Sequence, residues 1–370
     1  MTAPSPAVAD RLARNVLRRC LHLRPKENVT IETYPSSLPW VAGFVREARR
    51  AGARPLVHLE DEASYWTAVE EGRAALLGAP GEHEWAALEN TDVYVYFWGP
   101  EDLARRSQLS ESTMEKLTAF NSRWYEVARK AGVRGARMSI ARVTEANARY
   151  SGVPFAAWQR EVLSASLRDP ATLRADAERM RRAFARGRSV RITHPNGTDL
   201  TLALAGRRVM SATSEVTPKG RKTAFGVLST VPDGSVYTSV DEGTAEGTLV
   251  ANRFTHTPRG RYEGGRFEFS NGRLRSFSFA KGGAGFSRSY RQAGAGRDRP
   301  SFLEVGLVPE IRISPSLEEA ERGAATVGVG QNAMFGGKTK VDFLGYLTVG
   351  GAELSVDGRP LVRGGRVLRG

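Results

Sequence analysis

Few side chains in this 370-residue chain are typed and spaced for catalysis. The five histidines, His22, His58, His83, His194 and His256, have no partner at i+3 or i+4, the spacing that turns two imidazoles toward one metal. Each reads as a surface or packing residue. Ser235 sits in the run Pro232-Asp233-Gly234-Ser235, but no motif places a histidine to activate its hydroxyl. Cys20 is alone, which excludes an internal disulfide and a cysteine-based zinc site. Gly282-Gly283-Ala284-Gly285 lacks the Lys-Ser/Thr of a phosphate-binding loop and reads as a flexible connection. Charge is the stronger signal. The net charge is +14, and residues 251–300 contribute +8 of it through eleven Lys or Arg against three acidic residues. Arg273 and Arg275 lie in the middle of that stretch, which is expected to form an electropositive wall attracting an acidic or carboxylate-bearing ligand.

Other segments resemble a known family. Val190 to Arg207 (VRITHPNGTDLTLALAGR), Val231 to Thr238 (VPDGSVYT), Glu304-Val305-Gly306, Gly323 to Gly330, Gly336-Gly337-Lys338 and Val356-Asp357-Gly358 together resemble the M29 aminopeptidase T family. The turn Leu23-Arg24-Pro25-Lys26 and the extended NVTIET that follows Glu27 carry the resemblance across nearly the whole chain. It implies a cobalt- or zinc-dependent exopeptidase scaffold and a homodimer. Its dinuclear site would need carboxylates and neutral imidazoles converging on two cations.

The departures fall on the ligand positions. Ser235 stands where the family has its first metal-binding Glu, Glu304 matches the second, and Thr326 stands at a histidine position. The family's closing His-x-Asp matches Lys340-Val341-Asp342; a register four residues later would put Leu344 and Tyr346 there instead. Under either register no histidine remains. The first register implies the Lys340 ammonium between Glu304 and Asp342, an internal salt bridge in place of the metal, with a lysine base as the alternative. Tyr237 and Thr238 would follow on a strand with alternate residues facing the cleft. The candidate ligand contacts are therefore Ser235, Tyr237, Glu304, Thr326, Lys340, Asp342, Arg273 and Arg275, with no catalytic residue, metal or cofactor expected.

The elements that must position these residues fall into two groups. All six tryptophans lie in the first 158 residues, and most Gly-rich stretches come later, which suggests two cores. Residues 7–21 have the apolar spacing of an amphipathic helix. Residues 28–33 and 54–59 read as strands around a helix over 39–51 that stops at Gly52, and residues 91–97 read as a further strand. That order predicts an α/β domain with a mainly parallel sheet over residues 1–187. Helices are expected over 158–167 and 173–185. From residue 188 onward, short strands with Asn-Gly and Gly-Gly turns predict a C-terminal α+β domain rich in antiparallel strands, carrying the remnant of the metal site. Phe267, Phe269, Phe277, Phe279 and Phe286 are assigned mainly to the buried face of two strands joined by Asn271-Gly272.

The functional expectation is a non-peptidase relative that binds a peptide, acidic by charge, as a recognition or modifying component in peptide natural-product biosynthesis. An enzyme of different chemistry on the same scaffold, peptide-modifying or ring-cleaving, is the alternative. A nucleic-acid binder ranks last, because the aromatic residues are explained by packing. The first residues lack a basic start followed by an apolar core, and no apolar run approaches ~18 residues, so a cytoplasmic protein without membrane spans is expected.

Overall fold

The computed structural model describes residues 4–218, 226–253, 255–257 and 260–368. The chain divides into two compact units, Met1–Pro170 with Ser214–Pro232, and Ala171–Thr213 with Asp233–Gly370. The junction expected at 187/188 thus falls inside the second unit. The helix Arg174–Arg186 belongs there because it packs on the strand Ser235–Ser239 through the face that buries Ala177, Met180 and Phe184.

The first unit is built on a five-stranded sheet with every pairing parallel. Its spatial order is Arg54–Leu59, Asn28–Thr33, Val93–Phe97, Arg134–Met138 and Leu228–Val231. The first three were legible as β-rich runs. The last is contributed by the segment that returns from the second half of the sequence. On one side the helix Pro6–Arg14, continued by a π-helical turn Asn15–Cys20, packs against Leu38–Arg50. Gly43 permits this close crossing, since a Cβ there would stand 2.6 Å from the Ala9 carbonyl carbon. Glu47, buried by the same packing, is met by Arg18 at 3.2 Å and Arg14 at 3.7 Å. On the other side, helices Glu82–Glu89 and Asn121–Ala131 supply aromatic residues around Tyr94.

The second unit contains an eight-stranded and a five-stranded sheet, both antiparallel in their pairings, and a small three-stranded sheet. The hairpin joining Gly265–Ser270 to Arg273–Ser278 turns at Asn271 (φ 51°) and Gly272 (φ 66°), the positive-φ pair that an Asn-Gly turn supplies cheaply. Phe267 and Phe269 are buried as the alternation predicts. Phe286 instead comes from the helix Ala284–Gln292 and packs its ring 5.2 Å from Phe277. Among the described residues no helix is long and apolar enough to cross a membrane.

Candidate ligand site

The five-stranded sheet of the second unit has the order Leu344–Val349, Ala325–Gly330, Pro300–Gly306, Ser235–Ser239 and Met210–Ala212. Its register sets Glu304 opposite Tyr237 on one side and Thr326 on the other, with Thr326 opposite Thr348. Residues directly opposite on neighbouring strands share a face, so Tyr237, Glu304, Thr326 and Thr348 form one row. Beside it lie Phe302 and Tyr346, whose rings are 5.3 Å apart. Gly328 makes room for them, because a Cβ there would meet the Phe302 ring at 2.3 Å.

Burial dominates the electrostatics of the acids near this row. Burial, reinforced by the charge of Glu319, pushes Glu304 well above the usual carboxylate range, against an opposing contribution from the Ser235 hydroxyl. That relief is weak, since Ser235 Oγ is buried without a hydrogen bond of full geometry. Burial pushes Asp233 and Glu319 up to about 7, and it raises Glu318 strongly with help from the Glu319 charge. The same burial raises the phenols of Tyr237 and Tyr346, and the Glu304 carboxylate adds to it. Burial thus favours the protonated form of Glu304, in which it can donate as well as accept a hydrogen bond.

The expected contacts are only partly assembled. Ser235 lies opposite Gly306, on the neighbouring strand that also carries Tyr237. Tyr237 is half-buried and meets Phe335 edge-on at 5.9 Å. Thr326 is fully buried, and its hydroxyl is committed to that of Thr348 at 2.9 Å. Lys340 and Asp342 are both exposed, ahead of the strand that starts at Leu344, so the salt bridge expected among Glu304, Lys340 and Asp342 is not formed. The reason is alternation: Leu344, Tyr346 and Thr348 share the face of Thr326 and Glu304, and Leu344 and Tyr346 are the pair named by the register four residues later. Arg273 and Arg275 lie on the outermost strand of the eight-stranded sheet, not on the sheet of Glu304. Arg273 is held by Asp298 at 2.7 Å, and Arg275 donates to the Ser270 carbonyl at 3.1 Å.

Sequence reasoning missed Glu318 and Glu319, which sit on a short 3-10 turn packed against the Pro300–Gly306 strand, and it passed over Asp233 within a motif it used for Ser235. The adjacent acid pair after Ser314-Pro315-Ser316 was the available signal. Among the described residues no three His, Cys, Asp or Glu side chains converge on a point that could hold an ion. The row supplies a phenol, a carboxyl and two hydroxyls, a donor set that does not fit a dinuclear centre built from carboxylates and imidazoles.

The fold is that of a metallopeptidase family, and sequence comparison agrees on it. The profile of the thermophilic metalloprotease (M29) family matches residues 7–315, and the chain belongs to that family. Its structure resembles that of wild-type AmpT from Thermus thermophilus, with a TM-score of 0.71 at 19% identity over 98% of this chain and 99% of that one. It also resembles 2,5-dihydroxypyridine dioxygenase from Pseudomonas putida KT2440, with a TM-score of 0.62 at 17% identity over 99% of both chains. No curated protein matches the sequence.

Proposed function

We propose that this chain is a non-hydrolytic member of the M29 family that holds a peptide on the Tyr237–Glu304 row without cutting it. The observation that carries the reading is the row itself. Where a dinuclear peptidase needs ligands that share two cations, Thr326 is buried and already bonded to Thr348, and Tyr237 flanks Glu304 on the other side. The fold is shared with proteins named as an aminopeptidase and a dioxygenase, so membership of it does not fix the chemistry. What favours a peptide is the mixture of half-buried groups on one face: a carboxyl and two phenols can pair with amide N–H and C=O groups, and the Phe302 and Phe335 rings offer apolar surface. The electropositive wall plays no part in this reading, since Arg273 and Arg275 are placed on another sheet. A homodimer and a cytoplasmic location remain expectations from the family resemblance and the composition.

The test is metal analysis of protein purified without chelator, followed by peptide-library binding and cleavage assays with and without added Zn, Co, Mn or Fe. Well under one equivalent of metal, no turnover, and binding weakened by Tyr237→Phe and Glu304→Gln are expected. Stoichiometric metal with cleavage would overturn the reading.

A further inference from the structure

The first unit encloses a cavity of about 630 Å³ on the face of its parallel sheet opposite the N-terminal helix. In-register pairing lays one row across that face: His58, Glu32, Tyr96 and Arg137 stand on four successive strands. All four line the cavity. A sheet face that packs helices is normally apolar, and a carboxylate and a guanidinium placed there are costly unless a counter-charge meets them.

The row is graded in charge. At one end, Glu32 receives the Tyr94 hydroxyl on one carboxylate oxygen, while Glu60 and Glu84 add negative charge nearby. At the other end Arg137 stacks 4.8 Å from the Trp98 ring, which Arg142 covers at 3.4 Å. Among the described residues neither arginine forms an ion pair with a carboxylate; Arg137 donates from Nη2 to the Tyr125 hydroxyl at 3.3 Å, and the buried Nε of each lacks any hydrogen bond. Arg106 also lines the cavity, so the basic end gathers the guanidinium groups of Arg106, Arg137 and Arg142, and burial together with the charges of Arg106 and Arg137 pulls the Arg142 pKa down to about 9. Between the ends the walls are aromatic, with Trp85, Trp98 and Trp124 among them.

We propose that this cavity is a binding site for a short peptide of two or three residues with free termini and an aromatic side chain, its ammonium at Glu32 and its carboxylate at Arg137. The two residues stand two strand spacings apart, about 10 Å between backbones. Two or three residues span ~7–10 Å from end to end, a length comparable with that separation. The aromatic walls supply stacking surface for a ring, and a cavity of this size lies within the range for small-ligand sites. The location also fits open α/β sheets, where ligands gather near the carboxyl ends of parallel strands.

Calorimetric titration with tyrosyl-glycine and tyrosyl-glycyl-glycine, each compared with its N-acetyl and C-terminal amide forms, tests the assignment on the unaltered protein. Saturable binding of the free peptides, weakened at least tenfold by either block, is expected. Glu32→Gln should remove the discrimination against the N-acetyl form, and Arg137→Met that against the amide, with each variant's thermal unfolding confirming that it folds. Saturable binding that both Glu32→Gln and Arg137→Met leave intact would belong to the second unit's row instead of this cavity, and would overturn the assignment. Absence of saturable binding, or equal binding of free and doubly blocked peptides, would overturn the proposal.

Discussion

The hydroxyls of Thr326 and Thr348 meet at 2.9 Å inside the five-stranded sheet, where both side chains are buried. Each satisfies the other in a place water does not reach. Thr326→Val keeps the shape but leaves the Thr348 hydroxyl unpaired, and should destabilise the protein by about 1–3 kcal/mol, whereas the double change Thr326→Val with Thr348→Val should cost clearly less than the sum of the singles. Urea unfolding of the four proteins measures this. Additive losses would mean the two hydroxyls do not depend on each other.

The same pair bears on metal binding. Thr326→His would restore an imidazole at the family's histidine position, yet it would still face Tyr237 and Glu304 with no second imidazole in the row. Metal content of this variant should stay well below one equivalent. Tight stoichiometric zinc would show that one ligand was all the site lacked.

Much of the fold was legible because local pattern and final environment agree. The runs at Asn28–Thr33 and Arg54–Leu59 fold as strands over the residues expected, and the helix Leu38–Arg50 stops before Gly52, whose φ of +73° no other residue adopts so easily. Arg134–Met138 was not legible: Arg-Gly-Ala-Arg-Met contains no β-branched residue, and its strand is imposed by Val93–Phe97 and Leu228–Val231 on either side. Nor does a local pattern announce that Ser214–Pro232 returns to the first unit. At the site, Glu304 was expected from the family match and Tyr237 from alternation along its strand, and the register sets the two opposite each other. Lys340 was misplaced because the Gly-Gly-Lys match fixes only where a loop is, and the strand's register is decided by the buried row that follows it.

Stability should respond to acid through Glu242. Burial opposes its ionisation, but hydrogen bonds from Arg207, Asn332 and the Lys338 N–H outweigh this and hold its pKa at about 2. A carboxyl with a folded pKa below its unfolded value stabilises the fold fully above the unfolded value near ~4.3, and loses that contribution as pH falls toward 2. The contribution is roughly 2–3 kcal/mol. In denaturant titrations across pH 2 to 6, Glu242→Gln should be less stable than the parent at pH 6 and should lose less stability on acidification. Parallel profiles would assign the acid sensitivity to other carboxylates.

Two substitutions of basic residues by methionine should behave oppositely. Lys340 is exposed and was expected to neutralise Glu304; as placed, Lys340→Met should change stability by no more than about 0.5 kcal/mol. Arg253 instead grips Glu321 through two hydrogen bonds, at 2.5 Å from Nε and 2.7 Å from Nη2, and Glu321 is only 3% exposed. The guanidinium also fills the space above Gly350, where a Cβ would stand 2.2 Å from its central carbon. Arg253→Met therefore leaves a carboxylate buried without its counter-charge, and should cost about 3–5 kcal/mol. Replacing both partners, Arg253→Met with Glu321→Gln, should recover part of that loss, because the stranded charge is then gone. A large loss in Lys340→Met together with a neutral Arg253→Met would reverse the assignment of which cation holds a buried acid in this unit.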